Sequence, residues 1–138
     1  MLKLLYYTDK DPLAGADLTE TQIKEEIFDK LIRITPTVKE TETAQSIVAM
    51  RVTDGFLNNN NTEYRTIVVD FEVYVPHVSW FIKNSNFRIF AILGEIQKSL
   101  GEKIVNGLGK FNCGDFDLNF VSSEVSCYIL HGRFIEYD

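Results

Sequence analysis

The sequence predicts an α+β fold: a mainly antiparallel sheet of about four to five strands with two principal helices packed on it. Three observations carry this. From Ile67 to Val75 apolar residues hold the odd positions (Ile67, Val69, Phe71, Val73, Val75) while Thr66, Asp70, Glu72 and Tyr74 hold even ones, the period of a half-buried strand. Beyond Pro76, the residues Ile89, Ile92, Leu93, Ile96 and Leu100 recur at helical spacing, so an amphipathic helix capped by Asn84 or Ser85 must lie on that strand. The remaining strands group as hairpins around this interposed helix, which belongs to antiparallel sheets and not to doubly wound ones.

A chain of 138 residues makes one domain and buries roughly two-thirds of its unfolded surface. It divides into an N-terminal arm and loop at 1–18 and an α+β core at 19–138, with a protruding hairpin at 45–75. The net charge of -6, with 14 basic residues, argues against a nucleic-acid reader, whose affinity needs clustered Lys and Arg. An acidic surface fits a solvated subunit, or a wall past which nucleic acid slides without sticking. Cys113 and Cys127 flank a hairpin and read as two reduced, partly buried thiols, since one bridge would be a sparse framework for a secreted domain. Met1 to Thr8 meets Asp9, Lys10 and Asp11 too soon for a signal peptide, and no run approaches the ~20 apolar residues of a membrane span. The expectation is a protein that is intracellular when made.

In chain order, Leu2 to Tyr7 reads as an edge strand or an arm, and Thr8 to Asp17, with Pro12 and Gly15, as a loop. Thr19 and Gln22 have capping-box spacing and Ile23, Ile27 and Leu31 form one stripe, so the first helix is set at about Thr21 to Ile32. Pro36 stops it, and Thr35 to Thr43 is a polar surface connection. A strand follows from about Gln45 to Phe56, with Val48, Met50 and Val52 sharing a face. Asn58 to Asn61 then form the tip of a long hairpin leading into the organising strand. After the long helix, Lys103 to Val105 is expected to add a helical turn, closed by a C-cap at Gly107 to Gly109. Phe116, Leu118 and Phe120 alternate with Asp115, Asp117 and Asn119 in one strand, and Val125 to Tyr137 closes the sheet. That last strand is apolar on both faces, Cys127 and Ile129 against Tyr128, Leu130 and Phe134. Such a strand is either central and covered on each side, or half-covered by another chain.

Candidate chemistry fails at each place it is sought. Gly107-Leu108-Gly109-Lys110 lacks the earlier Gly and the following Ser or Thr of a phosphate loop. Asp115, Asp117 and Asn119 open with calcium-loop spacing, but Phe120 replaces the required Gly and Ser126 stands where a bidentate Glu is needed, so they read as a wet strand face. His77 reads as a turn residue and His131 as part of a solvated face, and Cys127 lies too far along the strand from His131 for a catalytic pair. Asp70 and Glu72 have the spacing of an acid–base pair without a neighbouring base. They read as a solvated sheet face or as a charged subunit interface opposite Arg51. Tyr74, Trp80, Phe81 and Phe87 read as packing at the strand–turn–helix junction. We therefore expect no enzyme, no cofactor and no metal.

Val69-Asp-Phe-Glu-Val-Tyr-Val-Pro76, followed by Trp80, an Arg88-led helix and two C-terminal strands, resembles the tail terminator or tail completion proteins of tailed bacteriophages. The phrase Ile27-Phe-Asp-Lys-Leu-Ile-Arg-Ile-Thr-Pro36 is similar to that group as well. The resemblance implies a structural virion protein, made in the host cytoplasm. It implies a ring, usually a hexamer, at the head-proximal end of the tail, with the tail tube protein and a head-completion or connector protein as partners. The genome would pass through without sequence-specific binding, and no membrane is involved. Other neck, tail tube or head-completion proteins share such small forms, and a dimeric small-ligand-binding regulatory domain is the competing class.

The interface expectations follow physical reasoning. Leu4, Tyr6 and Tyr7 are too apolar for water yet precede a Pro- and Gly-containing loop, and Phe56 and Leu57 lead into Asn58, Asn59, Asn60 and Asn61, which no core can hold. Arm and tip should therefore contact other chains, together with Arg51, Asp70 and Glu72 on the hairpin and Tyr128 and Phe134 on the last strand.

Overall fold

A computed structural model describes residues 1–34, 45–58, 61–101 and 103–137. Six strands form one curled, mixed sheet in the order β1-β2-β3-β8-β7-β6, and all neighbours except β1 and β2 are antiparallel. The strands are β1 (Ile32–Ile34), β2 (Ile47–Asn58), β3 (Asn61–Pro76), β6 (Ile104–Val105), β7 (Gly109–Val121) and β8 (Val125–Tyr137). A separate two-stranded ribbon, β4 (Phe81–Ile82) with β5 (Asn86–Phe87), leads into the long helix α3 (Arg88–Leu100). The strand count is thus above the four to five expected. Its one parallel pair comes from a three-residue segment too short to announce itself by periodicity.

The organising unit is as the alternation predicts, though β3 is longer, at 16 residues. Val69, Phe71, Val73 and Val75 are buried against Ile89, Ile92, Leu93 and Ile96 of α3 in one core cluster. β8 lies between β3 and β7, which explains its two apolar faces: α3 covers one, and the curled sheet itself buries Cys127 on the other.

Several expectations are corrected. Leu2 to Tyr7 is neither an edge strand nor a free arm but a short helix, α1 (Leu2–Tyr6), whose Leu4 and Leu5 are buried in the monomer's own core. Two principal helices reduce to one. The capping box of Thr19 and Gln22 forms, but α2 (Glu20–Gln22) passes into a single π turn at Ile23–Ile27 and stops. The chain leaves extended at Phe28 and turns through Asp29 at φ 63°, so Leu31 reaches the core from a turn and β-branched Ile32 and Ile34 enter the sheet. The connection 35–43 lies outside the described residues. Ile104 and Val105 pair with Lys110 and Gly109, making the expected helical turn a hairpin. Its loop uses the positive φ of Gly107 (78°) and Gly109 (86°), the freedom a C-cap would also use, but here it closes a hairpin because strand and not helix precedes it. Cys113 and Cys127 are free thiols.

Gly132 on β8 shows how tightly the core is fitted, because an added Cβ would enter the ring of buried Phe111 on β7. Gly132→Ala is expected to cost about 1–3 kcal/mol by overpacking, read from urea unfolding. A variant as stable as the parent would mean that the ring is seated elsewhere.

Candidate functional site

Two surfaces gather the residues that could act. The first is the sheet face away from α3. The register sets Arg51 of β2 beside Asp70 of β3, and Asp70 beside His131 of β8. Arg51 reaches diagonally to Glu72 and pairs with its carboxylate, and the Tyr74 hydroxyl donates to Glu72 Oε2 at 2.8 Å. His131 is held on both sides, Nδ1 to Asp70 Oδ1 at 2.8 Å and Nε2 to Asp117 Oδ2 at 3.3 Å. Asn119 donates to Cys127 Sγ at 3.7 Å. Side chains from β2, β3, β8 and β7 are thereby tied together across the sheet.

The chemistry of this face is internal pairing. Glu72 is only 3% exposed and its partners lie within the chain, so it is neither a solvated residue nor a lateral contact. Burial pushes the Cys127 thiol up to about 11, so it stays protonated and non-nucleophilic at neutral pH. Burial first, and then its bond to Glu72, raise the Tyr74 phenol as well. His131 is not a plain solvated residue; the Asp70 hydrogen bond, and after it the two carboxylate charges, raise its imidazole above the usual value, outweighing an opposing effect of burial. Among the described residues no cluster of His, Cys, Asp and Glu has the geometry of a metal site.

A raised imidazole favours the folded state when protonated. Its contribution is complete below about pH 6.5, the unperturbed value, and is lost as pH rises through the folded value above it. Parent stability should therefore fall across that interval by on the order of 1 kcal/mol or less, the scale of half-exposed ion pairs. His131→Gln should flatten the slope, as seen by denaturant unfolding at stepped pH; an unchanged slope would remove His131 as its source.

The second surface is apolar. Rings follow one another from the ribbon over α3 to β7: Phe81 to Phe87 at 5.3 Å, Phe87 to Phe90 at 5.8 Å, and Phe90 to Phe116 at 5.9 Å and to Tyr128 at 5.4 Å between centroids. Trp80 joins through Phe87 at 5.9 Å. Phe81 is 57% exposed, Phe116 51% and Leu118 55%, so this is surface and not the junction packing expected for Phe81 and Phe87. Between α3 and β7 lies an open groove of about 660 Å³, floored by Phe90, Leu93 and Leu130 and edged by Asp115 and Asp117.

The expected interface residues divide accordingly. Phe134 and Leu4 are core, and Tyr128 is a partly buried member of the ring series. The Tyr6 hydroxyl donates to Glu26 Oε2 at 2.9 Å and that of Tyr7 to the Ala16 carbonyl at 3.0 Å, both within the chain. Asn58 and Asn61 pair at the end of the hairpin; Asn59 and Asn60, and the side chains of Phe56, Leu57, Asn58 and Asn61, lie outside the described residues. Tyr74 is tied to Glu72, while Trp80 and Phe81 meet at the ring of Phe87. Phe90 escaped sequence reading because it stands one position off the apolar stripe of α3, and Phe116 and Leu118 because alternation gives a face without saying what covers it.

A family model, YomW, matches residues 1–130 of the chain. No curated protein matches it.

Proposed function

The chain belongs to YomW, a phage-associated family, and from that premise we propose that it is a structural virion protein of a tailed bacteriophage, a ring-forming tail terminator or tail completion subunit. In this role it caps the tail tube and joins it to the head connector, while the genome passes its acidic surface without sequence-specific contact. The observation that supports the reading best is the exposed ring series with Phe116 and Leu118, a surface of the kind that another chain covers. The polar face supports it too, because its carboxylates and its imidazole are engaged with one another. We assign no catalytic residue; a specific turnover abolished by Asp70→Asn in a folded protein would overturn that.

The test is particle composition and phenotype. Peptides of this chain should be found at ring-like stoichiometry in purified phage particles, and loss of its gene should give heads and tails that fail to join or tails of uncontrolled length. Normal joined particles lacking the chain would overturn the reading. The groove between α3 and β7 favours a second reading, a regulatory domain that binds a small ligand and dimerises through its sheet. A tight dimer by native mass, absent from particles, would select it.

A further inference from the structure

The cross-strand register sorts the sheet into rows. On the helix-covered face one row runs Ile34, Met50, Phe71, Leu130, Phe116, and the next runs Ile32, Val48, Val73, Tyr128, Leu118. The middles of both rows are core, but the ends are not: Ile34 is 80% exposed at the β1 end, and Phe116 and Leu118 are more than half exposed at the β7 end. On the reverse face the matching row runs Arg33, Ala49, Glu72, Ile129, Asp117, basic at the β1 end and acidic at the β7 end.

We propose that the β1 end of one copy docks against the β7 end of the next, so that a second copy of this chain continues both apolar rows. Phe116 and Leu118 then meet Ile34 and Ile32, while Asp117 comes to face Arg33 across the junction. This rests on the ring reading and names its lateral contact. β1 is one edge of the sheet, and β7 is paired by β6 only at Gly109 and Lys110 near its start, so among the described residues both row ends are open and a neighbour in the same orientation meets each with its chemical complement. β7 carries register breaks between Cys113 and Phe116 and between Leu118 and Phe120. Such bulges spoil an edge for further backbone pairing, so the junction is made by side chains. Unlike ends joined head to tail give a heterologous contact, which closes into a ring when the rotation per copy permits.

The experiment is native mass of the parent, of Phe116→Asp, of Ile34→Asp and of an equimolar mixture of the two variants, with thermal unfolding as a check on each fold. We expect an oligomeric parent and association weakened about tenfold or more in each variant. The mixture should give a one-to-one heterodimer and nothing larger, since each variant keeps the end that the other lacks. An oligomeric parent with either variant still assembling, or a mixture that stays monomeric, overturns the assignment of ends and leaves the ring reading standing. A parent monomeric at every concentration overturns the self-contact, and the ring reading is then judged by particle composition.

Discussion

Arg88→Ala is expected to cost about 2–4 kcal/mol, the scale for leaving buried carbonyl acceptors without a donor, and to release the N-terminal helix. Arg88 is 0% exposed at the start of α3, and among the described residues no carboxylate forms an ion pair with it there. Its guanidinium donates instead to four backbone carbonyls: Nε to Ser79 at 2.7 Å, Nη1 to Leu4 at 2.8 Å and to Tyr7 at 2.5 Å, and Nη2 to Asp9. Burial lowers the guanidinium from its usual range, with the nearby Asp9 charge opposing this, yet the group stays charged at any ordinary pH. The Leu4 carbonyl belongs to α1 and those of Tyr7 and Asp9 follow its C-terminus, where helices leave acceptors without intrahelical donors. Alanine would strand the buried Ser79 and Leu4 acceptors and leave those of Tyr7 and Asp9, at the edge of the site, to water. Arg88→Lys should recover less than half of the loss, because a point ammonium cannot reproduce the planar fork. Urea unfolding gives the magnitude, and amide exchange over residues 2–9 should rise before global unfolding. A cost under about 1 kcal/mol would mean that water or another donor replaces the guanidinium easily.

Phe71→Ala is expected to cost about 3–5 kcal/mol, the range for a large buried aromatic. Phe71 stands at the centre of the apolar row on β3 and meets Phe111 edge to face, with centroids 5.8 Å apart and planes at 85°. Phe111 in turn lies 5.0 Å from Phe134. Because Gly132 sits beneath Phe111, the ring has little room to follow a truncation, so the cavity stays open. Chemical denaturation showing less than about 1 kcal/mol would put this strand face on the wrong side of the sheet.

The residues that local pattern could place were those whose neighbours in sequence decide their surroundings. Val69, Phe71, Val73 and Val75 on one side, and Ile89, Ile92 and Ile96 on the other, identify strand, helix and the contact between them. Glu72 could not be placed in this way. Its position in the alternation is the polar one, and only the pairing of β2 with β3, which brings Arg51 across, and the covering of that face by the curled sheet make the position an interior, with Tyr74 two residues along the same strand adding its hydroxyl. Arg88 is the same case in a helix, since its acceptors stand up to 84 positions away. The first helix was overextended because Ile23, Ile27 and Leu31 keep helical spacing through a point where Asp29 takes a left-handed conformation. The candidate contact surface was hidden for a third reason. Phe116 and Leu118 alternate as core residues do, and nothing in that alternation marks them as more than half exposed beside Phe90 of α3.

The place of β8 sets an order on how the molecule comes together. β3 ends at Pro76 and β8 begins at Val125, yet β8 separates β3 from β7 in the finished sheet. As the chain leaves the ribosome, β2 and β3 can close as a hairpin and α3 can settle on them, while the other flank of β3 stays open until β8 has been made. Pairing across such a gap is slow compared with local closure, and an open flank on a long apolar strand invites pairing with the same flank of another nascent chain. Folding yield at high expression should therefore be limited by concentration well before folded stability becomes limiting, and lowering the rate of synthesis should recover more soluble protein than strengthening the core.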